Sequence, residues 1–547
     1  MHTKGSESSE KVRQPGNRDL VVGIENLQHS QASMVSSLTE GPQASPYLIR
    51  EDIAVILLED RKAERFSYID TRSPNLEEMA RKPYLTNYIP PIFPKWRNPK
   101  CSGKLPPGSM GFPLIGETLG LLASSKSIDT PPFIKNRMKK YGPIFRTSLA
   151  GRPVVVSSDP EFNYYVFQQE GKLVERWYMD SFAKILHQDA ARINAHKNVH
   201  KYLRNVILGH FGPEALKDKM LPQLEDAINK RLHGWSKLPS LEVKSSTSAM
   251  IFDFTAKQLF SFQADKSKED ICESFTNFLQ GLMSFPINIP GTAYHRCLQN
   301  QKKAISIITS ELEERKSNPE IRKGDFLDQI LADMKTETFL TDKFVIYMMF
   351  GLLFASFETI SSTLTLAITL TNENPKVIRE LTEEHEAILK NREDINSGLT
   401  WKEYKSMTFT HNVINESLRL ASVAPGILRR TLQDIQVNGY TIPKGWALMV
   451  VPAALQLNPG TYEDPLTFNP WRWQNISANV SAKNFIPFGA GMTSCAGAEF
   501  SKVLMGVFFH ILVTKYRMTT IKEGEVIRSP ALGFGDGFHI QFSAKHG

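Results

Sequence analysis

Apolar positions recur at helical spacing over most of residues 160 to 425, and the longest such run is Phe344 to Leu370. It carries one charge, Glu358, near its middle. Its length alone would cross a bilayer, but an acid at mid-bilayer is costly, and Ser356, Thr359, Ser361, Ser362, Thr363 and Thr365 add many hydroxyls. The pattern therefore predicts a long helix through the core of a large domain, ending before Asn374-Pro375, where proline disfavours helix in the residue ahead of it. Further helices are predicted over Phe133–Tyr141, with a basic end, over the amphipathic Glu373–Leu389, over Asn412–Leu420, and over Ala498–Tyr516. Asp159-Pro160 marks another helix start, Asp as N-cap and Pro in the first turn. Strand-like runs are fewer. Ile144–Leu149 and Val154–Ser157 read as a hairpin through Ala150-Gly-Arg-Pro153. Val437–Gly445 with Ala447–Pro452 reads as a small hairpin sheet, and Ile527–Phe542 as another hairpin. Pro106-Pro-Gly108 is a stiff extended hinge, and Phe285–Gly291 is a loop between helices. The expected class is mainly α with small β-sheets.

Residues 1–95 break the pattern. They are polar, with one compact apolar run, Ile53–Leu58, and no stretch approaching the ~18 apolar residues of a membrane span. The expected organisation is an atypical, partly disordered extension over 1–95 followed by one large domain over 96–547. With 41% hydrophobic and 22% charged residues in a 547-residue chain, that domain can bury a sizeable core. The net charge of +8 suits an acidic protein partner or an anionic surface. Zinc-finger spacing, aromatic RNA-binding runs and arginine-rich tails are all missing, so no nucleic-acid partner is expected. Four cysteines without a CxxC pair fit a reducing compartment and no disulfide framework.

Candidate chemistry centres on Phe488-Gly-Ala-Gly-Met-Thr-Ser-Cys-Ala-Gly497, a glycine-rich loop that opens a helix. A thiolate at such a junction suits a soft metal, because first-turn N–H groups stabilise it. A buried core thiol is the alternative, and the loop alone does not separate the two. His196 and His200 share an i,i+4 spacing that metal pairs use; an exposed basic face explains them better, since no HExxH context accompanies them. His200 and Arg204 also share a helix face. Glu416 and Arg419 are three apart among apolar neighbours, with Arg472 in Phe468-Asn-Pro-Trp-Arg-Trp473 available as a third member.

Taken together, these pieces resemble the cytochrome P450 family of haem-thiolate monooxygenases from about Trp96 to the end. The family's Phe-x-x-Gly-x-Arg-x-Cys-x-Gly signature is met by Phe488, Gly491, Cys495 and Gly497, its Glu-x-x-Arg by Glu416 and Arg419, and its later Pro-x-Arg by Pro470 and Arg472. Its central Ala-Gly-x-Asp/Glu-Thr motif appears as Ala355-Ser-Phe-Glu358-Thr359, and its Pro-Pro-Gly hinge stands at 106–108. Lys139–Phe145, His200–Arg204 and Phe285–His295 are similar to the plant clan that oxidises sterols, brassinosteroids and triterpenoids.

The resemblance implies a cytochrome P450 fold with a long central helix over the haem, and haem b held by the Cys495 thiolate. It implies proton delivery by Glu358 and Thr359 and a buried structural triad of Glu416, Arg419 and Arg472. His200, Arg204 and Arg429 match positions that pair with haem propionates. Electrons would come from NADPH through a cytochrome P450 reductase, the substrate would be an apolar steroid or triterpenoid, and the location would be the cytosolic face of the endoplasmic reticulum membrane. Hydroperoxide isomerisation or dehydration, or haem binding without catalysis, are the alternatives. Four departures stand out: Thr493 replaces the signature's arginine, Gln456 lies where His-Arg-Asp-Pro is common, Ser356 replaces a glycine and Ile360 a Thr or Ser.

Overall fold

The computed structural model describes residues 99–545 apart from 114, 186–196, 263–270, 283, 285–286 and 395–396. The extension expected over 1–95, His196, and the start of the loop at Phe285 lie outside the described residues. Contacts divide the chain into two units, Met1–Tyr88 with Asn277–Gln299, and Ile89–Thr276 with Asn300–Gly547. In the smaller unit, Thr292 caps a helix start by accepting from the His295 N–H at 3.1 Å, and His295 meets Asn288 at 2.9 Å.

The larger unit is mainly helical, as the periodicity predicts. Its longer helices are α1 (Pro132–Tyr141), α2 (Pro160–Gln168), α3 (Lys197–Phe211), α4 (Leu221–Trp235) and α5 (Val243–Phe260). After α6 (Ile271–Leu282) and α7 (Ala293–Ser317), each with residues in both units, come α8 (Phe326–Asp333), α9 (Asp342–Asn372), α10 (Pro375–Lys390), α11 (Thr408–Ala421) and α12 (Ala498–Lys515). Helix starts follow the local chemistry. Asp159 caps α2 by accepting from the Phe162 N–H at 2.9 Å, and Pro375 opens α10 directly after α9 ends. Helix α9 is long and apolar enough to cross a membrane by composition. Its second half, from Ile360 to Thr369, is instead buried inside the protein. It lies against α5, where Phe252 meets Phe357 edge-on at 5.5 Å, and against α10, α11 and the C-terminal sheet.

The strands are β1 (Ile144–Leu149), β2 (Arg152–Ser157), β3 (Val174–Arg176), β4 (Leu241–Glu242), β5 (Ile427–Thr431), β6 (Ile435–Val437), β7 (Tyr440–Ile442), β8 (Ala447–Val450), β9 (Tyr516–Lys522), β10 (Val526–Ser529), β11 (Ala531–Phe534) and β12 (His539–Ala544). The predicted β1–β2 hairpin forms, turning through Ala150 and Gly151, both at positive φ, as a tight two-residue turn requires. The next prediction needs correction: β6 and β7 pair as a separate hairpin, while β8 enters a five-stranded sheet in the order β1-β2-β8-β5-β3. There β8 lies parallel to β2 and antiparallel to β5. Its residues are buried throughout, and Leu448 joins Val155, Val174 and Phe162 in one core cluster. The C-terminal expectation is half met. Strands β10 and β11 form the hairpin, but β12 pairs with β9 and β4. The Pro-Pro-Gly hinge runs along the edge of β1, where Pro107 accepts from the Arg146 N–H at 2.8 Å. Gly108, at φ 145, sits so close to Arg146 that a Cβ would lie 2.0 Å from its carbonyl oxygen.

Candidate active site

The Cys495 loop is built by its backbone. The Cys495 N–H donates to the Phe488 carbonyl at 2.9 Å and the Ser494 N–H to that of Gly491 at 3.2 Å. Gly491, at φ 78, packs on the end of α2, where a Cβ would come within 2.6 Å of the Phe167 carbonyl oxygen. Helix α12 begins three residues after the cysteine. The sulfur-bearing residue lines a cavity of about 590 Å³, shared with Ala355, Ser356, Thr359 and Thr363 of α9, Phe488, and the side of β5. Burial pushes the Cys495 thiol up, against the lowering pull of the Gly497 N–H and the Arg204 charge. A bound metal cation reverses that balance and makes the sulfur a thiolate.

The residue pair on α9 is split by the helix. Thr359 faces the cavity, its hydroxyl donating back to the Ala355 carbonyl at 2.9 Å. Ser356 likewise faces the cavity and satisfies its hydroxyl on Leu353 at 2.9 Å. Glu358 does not line the cavity. Successive residues on a helix are about 100° apart, so it points to α5 instead. There Lys244 donates to it at 2.7 Å and Ser362 at 3.2 Å. The same ammonium donates to Ser248 and Ser361 at 3.0 and 2.9 Å. Sequence spacing did not point to Lys244, which is 114 residues from its partner.

Glu416, Arg419 and Arg472 come together as a set. Glu416 and Arg419 are fully buried, and the carboxylate accepts from Arg419 Nε and Nη2 at 2.9 and 2.8 Å. It also accepts from Arg472 Nε at 2.9 Å, the Asn469 N–H at 3.0 Å and the Trp473 indole at 3.0 Å. Gln456, one of the departures, is buried beside them without an unmet group. Its amide donates to Ser422 at 2.7 Å and accepts from the Ile486 N–H at 3.1 Å.

The cations divide between two partners. Arg204 donates to the Ser494 carbonyl at 2.7 Å, tying α3 to the cysteine loop. His200, one turn earlier, is held below its ordinary pKa by burial and by the charges of Arg176 and Arg204. Arg429 lines the cavity but is paired with Glu170, which also accepts from the Thr493 N–H and hydroxyl at 3.0 and 2.8 Å. Arg176 lines the cavity as well, set opposite Arg429 in the β3–β5 register. Among the described residues its buried Nε has no hydrogen-bond partner. Arg176 and Glu170 were missed because a three-residue strand and a turn glutamate carry no periodic signal.

A soft sulfur, apolar walls and a cationic rim with an unmet donor fit an iron porphyrin carrying carboxylates. The comparisons agree. The family model for cytochrome P450 matches residues 106–536. The chain is 50% identical over 455 residues to cytochrome P450 87A3 of Oryza sativa subsp. japonica, covering 83% of this chain and 88% of that one. It is 48% identical to beta-amyrin 16-alpha-hydroxylase of Maesa lanceolata, covering 83% and 95%. It is also 48% identical to cucurbitadienol 11-hydroxylase of Siraitia grosvenorii, covering 82% and 95%. The retinoic acid-bound cyanobacterial CYP120A1 superposes with a TM-score of 0.71 at 25% identity, over 81% of this chain and 100% of that one. Fold, loop and relatives converge: the chain belongs to the cytochrome P450 family, oxidoreductases that use haem-thiolate iron as monooxygenases.

Proposed function

We propose that this chain hydroxylates an apolar steroid or triterpenoid scaffold, taking electrons from NADPH through a cytochrome P450 reductase at the cytosolic face of the endoplasmic reticulum. The observation that carries the reading is one mostly apolar cavity shared by the Cys495 sulfur and the Thr359 hydroxyl. Relatives matched over 95% of their own length, a beta-amyrin 16-alpha-hydroxylase and a cucurbitadienol 11-hydroxylase, support the substrate class.

Haem bound through Cys495 supplies the oxygen-activating chemistry. The protein's own residues do the rest. Apolar walls from α9, Ile427 and Leu428 strip water from a polycyclic substrate and hold it beside Thr359. The Thr359 hydroxyl holds a proton at Oγ1, parked on the Ala355 carbonyl and free to swing into the cavity. On the adjoining face of the helix, Lys244 and Ser362 hold the Glu358 carboxylate in place, one residue from Thr359. Glu416, Arg419 and Arg472 act structurally, locking α11 to the segment that leads into the cysteine loop.

The test joins spectroscopy to product analysis. Reduced protein with carbon monoxide is expected to show the red-shifted Soret band of a thiolate ligand. Cells co-expressing a reductase and fed a panel of triterpenes and sterols are expected to form hydroxylated products. Absence of the band, or turnover of hydroperoxides without NADPH in place of hydroxylation, would reject the proposal.

A further inference from the structure

We infer that Arg528 and Gln456 together cap the C-terminus of α11, and that through this cap Arg528 positions the cavity wall that decides which carbon of the scaffold is oxidised. The part that concerns specificity rests on the hydroxylase reading above. Helix α11 ends at Ala421, and the chain then runs straight into the cavity, which Val423, Ala424, Gly426, Ile427 and Leu428 all line. The last carbonyls of a helix have no partner within it and need one from outside. Two side chains distant in the chain supply it. Gln456 donates from Nε2 to the Leu418 and Arg419 carbonyls at 3.4 and 3.1 Å. Arg528, on β10, donates from Nη2 to the Leu420 and Ala421 carbonyls at 3.3 and 3.0 Å, and from Nη1 to that of Ser422 at 3.1 Å.

Ser422 is the joint. Its backbone is left-handed, at φ 38, where glycine is the usual residue after a helix. Its hydroxyl adds to the cap, donating to the Arg419 carbonyl at 3.0 Å and accepting from Gln456 at 2.7 Å. Gln456 carries the tie further. Its Oε1 accepts from the Ile486 N–H, just ahead of Pro487 and Phe488 on the cysteine side of the same cavity.

Arg528 is 1% exposed, and among the described residues its guanidinium bonds only carbonyls, with Ile128 accepting at 3.2 and 3.0 Å. Burial lowers its pKa to about 10, so it stays charged at neutral pH. A cation there complements the negative end of the helix dipole. An apolar side chain would leave the carbonyls of Ile128, Leu420, Ala421 and Ser422 unmet and the wall free to shift. Arg528 does not line the cavity, so it acts through the wall, as a positioning residue. A fused-ring scaffold cannot bend to follow a displaced wall, and about 1 Å of misplacement at the reacting carbon changes its rate by about a hundredfold.

Two measurements on the full chain test this. In Arg528→Met, amide hydrogen exchange at Leu420, Ala421 and Ser422 is expected to run about tenfold faster than in the parent, with the buried half of α9 unchanged. With a triterpene or sterol that the parent hydroxylates, the ratio of major to minor regioisomer is expected to fall about fivefold or more at an unchanged carbon monoxide band. Arg528→Lys, which keeps the charge but not the planar fork, is read in the same way where Arg528→Met loads no haem. Parental exchange in that last turn would overturn the cap, and faster exchange with an unchanged product ratio would overturn the positioning role. Loss of haem from both variants would tie Arg528 to the fold as a whole and overturn that role too. A parent that hydroxylates none of the panel would reject the hydroxylase reading and the specificity role with it, while the exchange measurement still decides the cap.

Discussion

Glu416 illustrates how much one side chain can be asked to satisfy: two guanidinium groups, a backbone N–H and an indole all converge on its carboxylate. Glu416→Ala leaves those donors unmet in a dry site, and the expected loss is about 3–5 kcal/mol, read as a lower urea midpoint and less haem-loaded protein. Gly491 is a second such point. Gly491→Ala forces a Cβ to within 2.6 Å of the Phe167 carbonyl oxygen at a positive φ. The expected strain is about 1–3 kcal/mol, checked as a shift of the carbon monoxide complex from the thiolate to the blue-shifted form. Residues of this kind were legible in the sequence, because a cysteine between glycines and a Glu-x-x-Arg pair are local in the chain. Glu170, Arg176 and Lys244 were not. Each gains its importance from a partner more than 100 residues away, and no short-range spacing records that.

At the scale of elements, helix limits followed from local rules and strand partners did not. Asp159, Pro375 and the apolar run of α9 gave starts and stops that the structure keeps. Strand β8 was assigned to its sequence neighbour, whereas burial on both faces places it between β2 and β5. Helix packing also creates a titrating unit, where α10, α11 and α12 meet. His510 Nδ1 and His385 Nδ1 lie 3.0 Å apart, and His385 Nε2 meets the Thr410 hydroxyl at 2.9 Å. Thr410 in turn donates to Glu384 at 2.5 Å, so His385 carries its proton on Nε2 and accepts one from His510. Burial lowers His385 to about 3, with His510 adding to it. Burial lowers His510 to about 4, helped by Arg392 and Lys515 and opposed by Glu403. Both rings stay neutral in the folded protein while the unfolded chain binds their protons near pH 6.5. This contribution is therefore complete above about pH 6.5 and is lost as pH falls toward 4. Urea midpoints are expected to drop across that window, and less steeply in His510→Asn; an equal slope would contradict the assignment.

For the whole molecule, charge matters more for encounters than for stability. A net charge of +8 favours an acidic redox partner. Lys502 sits on the first turns of α12, its ammonium 5.7 Å from the Phe488 ring of the cysteine loop. Reductase-driven turnover is expected to fall about tenfold between low and high salt, and Lys502→Glu to lower it at low salt. Rates independent of ionic strength would exclude electrostatic docking.

The parallel pairing of Val154–Ser157 with Ala447–Val450 also bears on synthesis at the ribosome. The early hairpin leaves one edge of β2, with its Val154–Val156 run, open until β8 has emerged, so the nascent chain carries an unpaired sheet edge for about half of its translation. Cys495 emerges later still, so no metal can be held through its sulfur until translation is nearly complete. Slower translation or added chaperone is expected to raise the yield of folded chain, measured as the soluble fraction on expression.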